Sequence, residues 1–308
     1  MGAAYTLIMR LKVQYFALLM LVPALTLIHA AAEGPAPAKT PMVRSEPARI
    51  VNGSACLFVV HQPSTLQSLT GTWMDRQVFF SFDPARRAWV GLAGVAVESS
   101  PGSFPLVLKG LTAKGEPLNL EAQIVVGHVA YPSIALRIPE KFTAPPDPAT
   151  AARIEQEQEI KNKAFATISS ERLWSGNFSG PVASTPSDGF GIQRKFNGVL
   201  KSTHHGLDFH APMGTPIAAI GDGRVLLAGD FFYEGGLVVI DHGQGLATLY
   251  MHLSEERVHE GDTVRRGQII ALSGSSGRAT GPHLHLGVRW QGLYFDPRTL
   301  FKLRMPQK

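Results

Sequence analysis

Cysteine is almost absent from this sequence, whose 308 residues include only Cys56. An intramolecular disulfide and a thiolate metal cluster are therefore excluded, because each needs more than one cysteine. Cys56 lies in the apolar, strand-like run 54–60. We therefore expect a buried and unreactive thiol at this position rather than a nucleophile.

Large blocks of charge are missing as well. Charged residues make up 17% of the chain, and the formal net charge is only +5. No basic block is interleaved with aromatic residues, as the surfaces of many nucleic-acid-binding proteins are. This mild basicity is too small to indicate nucleic-acid binding, so we expect no nucleic-acid partner.

Several motifs of common enzyme and carrier classes do not occur. The glycine-rich run 274–281 lacks the Gly-Lys-Ser/Thr ending of a P-loop. Neither a Gly-x-Ser-x-Gly elbow nor a His-Glu-x-x-His pair is present, so serine hydrolases and thermolysin-type peptidases are unsupported. The glycine-flanked apolar runs in the last third are also typical of lipoyl and biotinyl carrier domains. Such a domain needs a lysine at a hairpin tip, and none lies between Lys201 and Lys302.

The longest apolar run is at the N-terminus. Arg10 and Lys12 precede the apolar residues 13–28, and small residues follow at 29–32. This order predicts a cleaved secretory signal over residues 1–32. A retained membrane anchor is the alternative, but the run is shorter than the roughly 20 residues of a membrane span. We therefore expect no membrane span in the mature chain.

The next two segments differ sharply in composition. Residues 33–48 are rich in proline and alanine and predict a flexible spacer. Residues 49–142 contain short alternating runs separated by turn signals, which predicts an immunoglobulin-like β-sandwich with a positioning or guarding role. The predicted strands are Ala55–His61, Arg76–Asp83, Ala88–Val97, Phe104–Lys109, Asn119–Val126 and Ser133–Ile138.

Residues 143–174 predict a linker followed by a helix. Asp147 is a suitable N-cap, and Pro148 suits the first helical turn. We expect this helix to continue to about Leu173 and to pack an apolar stripe against one of the domains.

Histidines and one aspartate form the chemically suggestive pattern. His283 and His285 are two residues apart in an apolar run, so they share one face of a strand. His204 and Asp208 are four apart and also share a face. Two hydrogen-bonded structural histidines are the alternative for the first pair. Taken together, His204, Asp208 and His285 give the ligand count of a catalytic zinc site with an open fourth position.

These motifs occur in a family-like order. The chain from about Phe190 to Phe301 resembles the LytM/lysostaphin-type zinc metallopeptidases of the M23 family. The resemblance implies a mainly β chain whose residues 175–308 form an antiparallel metallopeptidase domain of the LytM, or duplicated hybrid motif, type. The matching motifs are His204-x-x-x-Asp208, Gly214-Thr215-Pro216-Ile217-x-Ala219, Tyr250-Met251-His252-Leu253, Gly261-Asp262-x-Val264-x-x-Gly267-Gln268 and Gly281-Pro282-His283-Leu284-His285.

The resemblance also implies roles for five residues. His204, Asp208 and His285 would bind one Zn²⁺ per chain, while His252 and His283 would provide acid–base and oxyanion assistance. Zinc can lower the pKa of a bound water toward about 7. No glutamate in the matched motifs is placed to take the proton from water, so an imidazole must do so. Which of His252 and His283 is the base stays open.

The implied function is hydrolysis of the peptide part of peptidoglycan. The substrate would be the peptide stems and their cross-links, with D,D-endopeptidase activity as the first expectation, and the enzyme would be exported to the periplasm or the cell wall. A catalytically inactive LytM-like activator of a wall amidase is the alternative. Such relatives have usually lost zinc ligands, whereas this sequence has all of them. An enzyme autoinhibited by its N-terminal domain or helix, and a regulatory protein partner, are further possibilities.

The remaining candidates have less specific signals. We expect His205 to face away from the metal, His242 to be a turn residue and His259 to lie in a polar loop. His210 shares parity with Asp208, but the resemblance requires no histidine there. Arg194 could bind a substrate carboxylate or form a structural salt bridge, and we favour the latter. Residues 274–281 predict a mobile substrate loop leading to His283.

Overall fold

A computed structural model describes residues 42–62, 65–136, 145–196 and 199–307. The predicted signal at 1–32 and most of the predicted spacer lie outside these residues. Within the described part of the chain, no helix combines the length and the apolar character needed to cross a membrane. Residues 42–46, which the sequence placed in the spacer, form a strand instead.

Strands dominate the described residues, which confirms the predicted mainly β class. The strands are β1 (Met42–Glu46), β2 (Ile50–Val51), β3 (Ala55–His61), β4 (Leu66–Trp73), β5 (Arg76–Asp83), β6 (Ala88–Gly94), β7 (Gly102–Thr112), β8 (Pro117–Gly127), β9 (Ser133–Leu136), β10 (Pro186–Asp188), β11 (Gln193–Phe196), β12 (Val199–Thr203), β13 (Gly206–Phe209), β14 (Pro216–Ala218), β15 (Gly223–Phe231), β16 (Gly235–Gly243), β17 (Leu246–Glu256), β18 (Thr263–Val264), β19 (Ile269–Ser273), β20 (Leu284–Trp290) and β21 (Leu293–Tyr294). The two helices are α1 (Pro148–Ala164) and α2 (Pro297–Lys302).

Strands β1 to β8 form the N-terminal half in the hydrogen-bonded order β1-β3-β6-β5-β4-β7-β8-β2. Strand β5 pairs with β4 through its first residues and with β6 through its last, so it passes from one layer to the other. The layers pack through Phe58 and Trp73, whose ring centroids lie 4.9 Å apart at an edge-to-face angle. Cys56 is fully buried in this core, and burial raises the pKa of its thiol. The expectation of an unreactive cysteine therefore fits its surroundings.

Helix α1 begins as predicted but is shorter than expected. The Asp147 carboxylate accepts hydrogen bonds from the backbone N–H groups of Ala149 and Thr150, and Pro148 occupies the first turn. The helix ends at Ala164 rather than near Leu173. The following run Thr-Ile-Ser-Ser at 167–170 consists of weak helix formers, which explains the earlier end.

The predicted apolar stripe of helix α1 is wrong. Glu157 is the one buried residue of the helix, and Ile160 is 46% exposed. Apart from Ala164 at its end, the helix contacts the C-terminal half mainly through charged side chains. Lys161 Nζ lies 2.6 Å from Glu234 Oε1, and Glu157 Oε2 accepts a hydrogen bond from the Phe232 N–H.

The C-terminal half is built on an antiparallel sheet in the order β10-β13-β20-β17-β16-β15-β18. Strands β14 and β19 form a flanking pair that joins the sheet through β17. Every residue of β13 is buried, and so are eight of the nine residues of β16. The interior strands β13, β20 and β17 are therefore fixed by core packing on their flanks, which makes them rigid supports for a site.

The two halves share one core. All described residues belong to one compact unit. The Ala55 N–H donates to Thr299 Oγ1 over 2.8 Å, and the Asp296 N–H donates to the Gly53 carbonyl over 2.9 Å. Strand β9 of the N-terminal half also pairs in parallel with β11 of the C-terminal half. The halves are therefore joined by backbone pairing as well as by side chains.

Candidate active site

Three neighbouring strands bring the predicted site residues together. Asp208 of β13 stands opposite His285 of β20, which in turn stands opposite Met251 of β17. His204 immediately precedes β13, and His252 follows Met251 with a left-handed φ of 65°. The local turn at His252 departs from a regular strand, because only then does its ring reach the same face as His285.

The side chains of His204, Asp208 and His285 converge. The distance from His204 Nε2 to Asp208 Oδ1 is 3.0 Å, and that from His204 Nε2 to His285 Nδ1 is also 3.0 Å. His285 Nδ1 lies 2.8 Å from Asp208 Oδ1. One donor atom from each of the three residues therefore lies within 4.8 Å of the others, close enough to share a metal ion.

The donor chemistry of this cluster suits a zinc ion. His204 Nδ1 lies 2.8 Å from the Gly189 carbonyl oxygen and must donate its hydrogen there, which leaves a lone pair on Nε2. That lone pair, the carboxylate oxygen and His285 Nδ1 face one another at close range, so all three atoms could hold a cation placed among them. Two imidazoles and one carboxylate are a known zinc ligand set that leaves a position open.

Asp208 stays ionised despite its burial. Burial alone would raise the pKa of this carboxyl, but the interactions with the neighbouring His204 and His285 rings outweigh burial and hold the pKa well below its ordinary value. Its second oxygen, Oδ2, accepts a hydrogen bond from Arg194 Nη2 over 3.0 Å. Arg194 therefore holds the carboxylate in place, which is the structural role favoured from the sequence.

His252 and His283 lie beside this cluster. Their ring centroids are 4.8 Å apart. His252 Nδ1 donates to the Ser276 carbonyl over 2.9 Å, and His283 Nδ1 donates to the Gly281 carbonyl over 2.8 Å. His283 Nε2 lies 3.9 Å from Asp208 Oδ1. Because each Nδ1 is used by a carbonyl, each imidazole keeps its Nε2 for chemistry on the side of the cluster.

Burial keeps two of these imidazoles neutral near pH 7. Burial and then the neighbouring His285 and His283 lower the pKa of His252 to about 3. Burial also lowers the pKa of His285, although Asp208 opposes the shift. A neutral His285 can ligate a metal, and a neutral His252 has a lone pair that can accept a proton.

The cluster opens onto a cleft of about 320 Å³. Its lining residues all come from the C-terminal half. They are Ser187, Arg194, Asp208, His252, Arg278, Thr280, Gly281, Pro282, His283 and His285. Within the described residues, neither the N-terminal strands nor helix α1 lines this cleft.

His205 faces away from the cluster, as predicted. Its ring stacks on Tyr294 with centroids 5.2 Å apart, and Nε2 lies 2.7 Å from Glu98 Oε1 of the N-terminal half. His210 and His259 are both exposed, so the expected polar surroundings of His259 are confirmed. All three lie outside the cluster. His210 and His259 lie on the surface, and His205 contacts the N-terminal half.

The expectation for His242 is wrong. It lies within strand β16, fully buried, rather than in a turn. Nδ1 donates to the Asp222 carbonyl over 2.7 Å, and Nε2 accepts from the Thr248 hydroxyl over 2.9 Å. The Asp-His-Gly triplet looks like a turn, but the turn begins one residue later, at Gln244.

The carbonyl groups of Gly189 and Ser276 orient His204 and His252 and were not predicted from the sequence. No residue type marks a carbonyl that will face a ring, so the sequence holds no signal for them. Arg278 was also missed, although its place in the glycine-rich run before His283 was a usable hint.

Comparisons with known proteins support the resemblance drawn from the motifs. Residues 202–297 match the family described as Peptidase family M23. The peptidoglycan DD-endopeptidase ShyA of Vibrio cholerae is 48% identical over 94 residues, which is 30% of this chain and 22% of that protein. The DD-carboxypeptidase/endopeptidase Mpg of Neisseria meningitidis is 45% identical over 94 residues, again 30% of this chain and 22% of the relative. The match thus spans about a fifth of the length of each.

A solved structure resembles more of the chain. A crystal structure from Pseudomonas aeruginosa assigned to peptidase M23 is 29% identical, with a TM-score of 0.63. The alignment covers 82% of this chain and 95% of that one, so it extends well beyond the C-terminal half. The N-terminal strands and the site-bearing sheet therefore occur together in another chain.

Proposed function

We propose that this chain, whose residues 202–297 match peptidase family M23, is a zinc-dependent endopeptidase that hydrolyses the peptide cross-links of peptidoglycan. The observation that carries the proposal is the convergence of His204, Asp208 and His285 within 4.8 Å beside two further oriented imidazoles.

The metal would be held by His204 Nε2, Asp208 Oδ1 and His285 Nδ1. When bound there, zinc supplies Lewis-acid chemistry that acidifies water and polarises the scissile carbonyl. Arg194 fixes the carboxylate, and the Gly189 carbonyl fixes the His204 tautomer. Such supporting contacts keep the ligand atoms aimed at one point before a metal arrives.

The proton transfers would fall to His252 and His283. One imidazole accepts the proton that water loses as it attacks the amide carbon, and returns that proton to the leaving nitrogen. The other imidazole donates a hydrogen bond to the oxyanion, and because its Nδ1 hydrogen is used by a carbonyl, it must carry a second proton on Nε2 to do so. Hydrolysis then yields a carboxylate and an amine, and the site returns to its starting protonation state. The two carbonyl contacts at Nδ1 keep both rings turned toward the cluster.

The substrate class rests on the named relatives and on the predicted export signal. ShyA and Mpg are named for action at D,D bonds, which supports a D-amino-acid cross-link as the target. Peptidoglycan lies outside the inner membrane, so the enzyme would act in the periplasm or at the wall. The sequence-based alternative, an inactive amidase activator, gains no support because the ligand and catalytic positions are filled and converge.

The proposal is tested with purified protein and intact sacculi. We expect the zinc-loaded chain to release soluble muropeptides, and we expect EDTA and His285→Ala to stop the release. His259→Ala is the matched control, because His259 is 92% exposed and lies outside the cleft. Metal analysis should find one zinc per chain in the wild type and much less in His285→Ala. Undiminished muropeptide release by His285→Ala would refute the proposal.

A further inference from the structure

Two arginines line the cleft, but only one has a carboxylate partner there. Arg194 donates to Asp208 Oδ2 over 3.0 Å. Asp208 is the only carboxylate among the lining residues, and its other oxygen faces His204 and His285. Within the described part of the chain, the guanidinium of Arg278 has neither a hydrogen bond nor an ion pair.

The position of Arg278 is nevertheless fixed. Its backbone N–H donates to the Tyr233 carbonyl over 2.8 Å, and its guanidinium lies over the Tyr233 ring at 4.8 Å from the centroid. The preceding Gly277 has a left-handed φ of 65° and packs so closely on Gly235 that a side chain there would clash. A cation held over an aromatic face loses little further freedom when it binds an anion.

Arg278 is tied to the catalytic groups through the same loop. Two residues before it, the Ser276 carbonyl accepts the hydrogen bond from His252 Nδ1. Ser276 Oγ also donates to the Leu253 carbonyl and accepts from the Gly236 N–H. These contacts give the loop a defined register against His252. A group bound by Arg278 would have a defined place relative to the scissile bond.

The side chains that line the cleft therefore leave it a net positive charge. Arg194 is paired with Asp208, Arg278 is not paired with a carboxylate among the described residues, and a bound metal would add further positive charge. Arg278 is exposed to the cleft, so a ligand can reach its planar face of N–H donors. A guanidinium matches a carboxylate with two parallel hydrogen bonds, and charge-assisted pairs of this kind are stronger than neutral ones.

We propose that Arg278, supported by Tyr233, binds the substrate carboxylate nearest the scissile amide and makes the enzyme select peptides in which that carboxylate is free. The inference rests on the proposed endopeptidase function. Its ligand chemistry is a peptide carboxylate, and peptides in which the group is converted to a carboxamide are disfavoured. Arg278 acts in recognition, and Tyr233 is a positioning residue.

The test compares two soluble cross-linked peptides that differ only by carboxylate and carboxamide at this position. We expect the wild type to prefer the carboxylate peptide by about 10- to 100-fold in kcat/KM, the range for a charged hydrogen-bonded contact. Arg278→Gln should lose that preference, with both peptides cleaved at the slow rate of the carboxamide. Arg278→Lys should keep part of it. Arg265→Gln, an exposed arginine outside the cleft, should keep all of it.

A binding measurement separates this inference from the proposed function. An uncross-linked stem peptide has no cross-link to cleave, so its affinity can be measured by calorimetry whether or not the protein is active. We expect Arg278→Gln to weaken binding of the carboxylate form by about 10-fold or more and to leave the carboxamide form unchanged. Equal loss for both forms, or no loss, would overturn the role of Arg278 even in an active enzyme. Tyr233→Leu should weaken the preference, whereas Tyr233→Phe, which keeps the ring, should preserve it.

Discussion

At the scale of single residues, Gly206 decides whether His285 can reach the cluster. A Cβ at Gly206 would lie 2.5 Å from His285 Nε2 and 2.6 Å from the Leu286 carbonyl oxygen. The clash involves backbone as well as a ring, so a side-chain rotation alone cannot relieve it. We expect Gly206→Ala to displace His285 and weaken zinc binding by about 10- to 100-fold, as loss of ligand support does in other zinc sites.

The Gly206 prediction is checked by chelator competition for zinc. Gly229→Ala is the matched control, because Gly229 also lies in a strand of the same sheet and a Cβ there would meet nothing within 4 Å. Gly229→Ala should bind zinc like the wild type. A Gly206→Ala protein with wild-type zinc affinity would show that the ring has room to move.

His242 predicts a pH dependence of stability that does not involve the metal. Burial lowers the pKa of His242 to about 4, against 6.5 for an unperturbed histidine, so the folded state keeps it neutral while the unfolded state takes up a proton. Stability is therefore unaffected above pH 6.5 and falls as pH drops from 6.5 to 4. The loss from this group alone is about 3 kcal/mol in the free energy of unfolding.

The measurement is denaturant unfolding at several pH values in EDTA, which removes metal effects. His242→Gln should be less stable than the wild type at pH 7, because the Asp222 and Thr248 contacts are lost. Its stability should nevertheless fall less steeply between pH 6.5 and 4. Parallel curves for the two proteins would contradict the assignment.

At the scale of elements, strands with regularly alternating apolar and polar residues were predictable from the sequence. Strands with an irregular or weakly apolar pattern were not. Strands β3 and β5 have the bounds expected from their apolar patterns. Strand β4 was missed because the register shifts between Leu66 and Ser68, so its buried residues do not alternate regularly. Strand β1 was missed because its sequence has little apolar content. It forms by pairing with the neighbouring strand β3.

The candidate site was more predictable than the elements around it. Metal ligands are set by residue type and spacing, and both are visible in the chain. What orients them is not, because carbonyl contacts and the approach of Arg194 depend on loops that meet only in the folded sheet. The expected ligand set therefore converges as predicted, while its supports had to be read from the structure.

The ion pairs of helix α1 were likewise not predictable from the sequence. Glu157 is the helix's one buried residue, and its less exposed ion pair to the C-terminal half is Lys161–Glu234, with both side chains only 15% exposed. Lys161→Met would leave the half-buried Glu234 carboxylate without its cation. We expect a loss of about 1–3 kcal/mol in the free energy of unfolding, less than for a fully buried pair because some solvent reaches both groups.

The Lys161 prediction has a control on the same helix. Lys163 is exposed and makes no ion pair among the described residues, so Lys163→Met should change stability by less than about 0.5 kcal/mol. Glu234 also accepts the His252 backbone N–H at its carbonyl, so loosening its loop should lower activity modestly. If unfolding curves gave Lys161→Met and Lys163→Met the same free energy of unfolding, the anchoring role of the ion pair would be contradicted.

At the scale of the whole molecule, the N-terminal strands and the C-terminal sheet pack as one body. Phe295 of the C-terminal half is fully buried and packs so closely on Gly94 that a Cβ there would clash with its ring. Tyr131 and Phe190 add an edge-to-face ring contact at 6.0 Å across the same boundary. Neither half can bury these apolar surfaces alone, so the halves should unfold together.

Calorimetry of the zinc-loaded chain should accordingly show one unfolding transition. Phe295→Ala should lower the free energy of unfolding by about 3–5 kcal/mol and move that single transition to a lower temperature. The change leaves a cavity in the core that both halves share. Phe82→Ala is the control, since Phe82 is 51% exposed on the N-terminal half and should shift the transition much less. If two transitions appeared and Phe295→Ala moved only one, the halves would be independent domains and the shared core would contribute little to either.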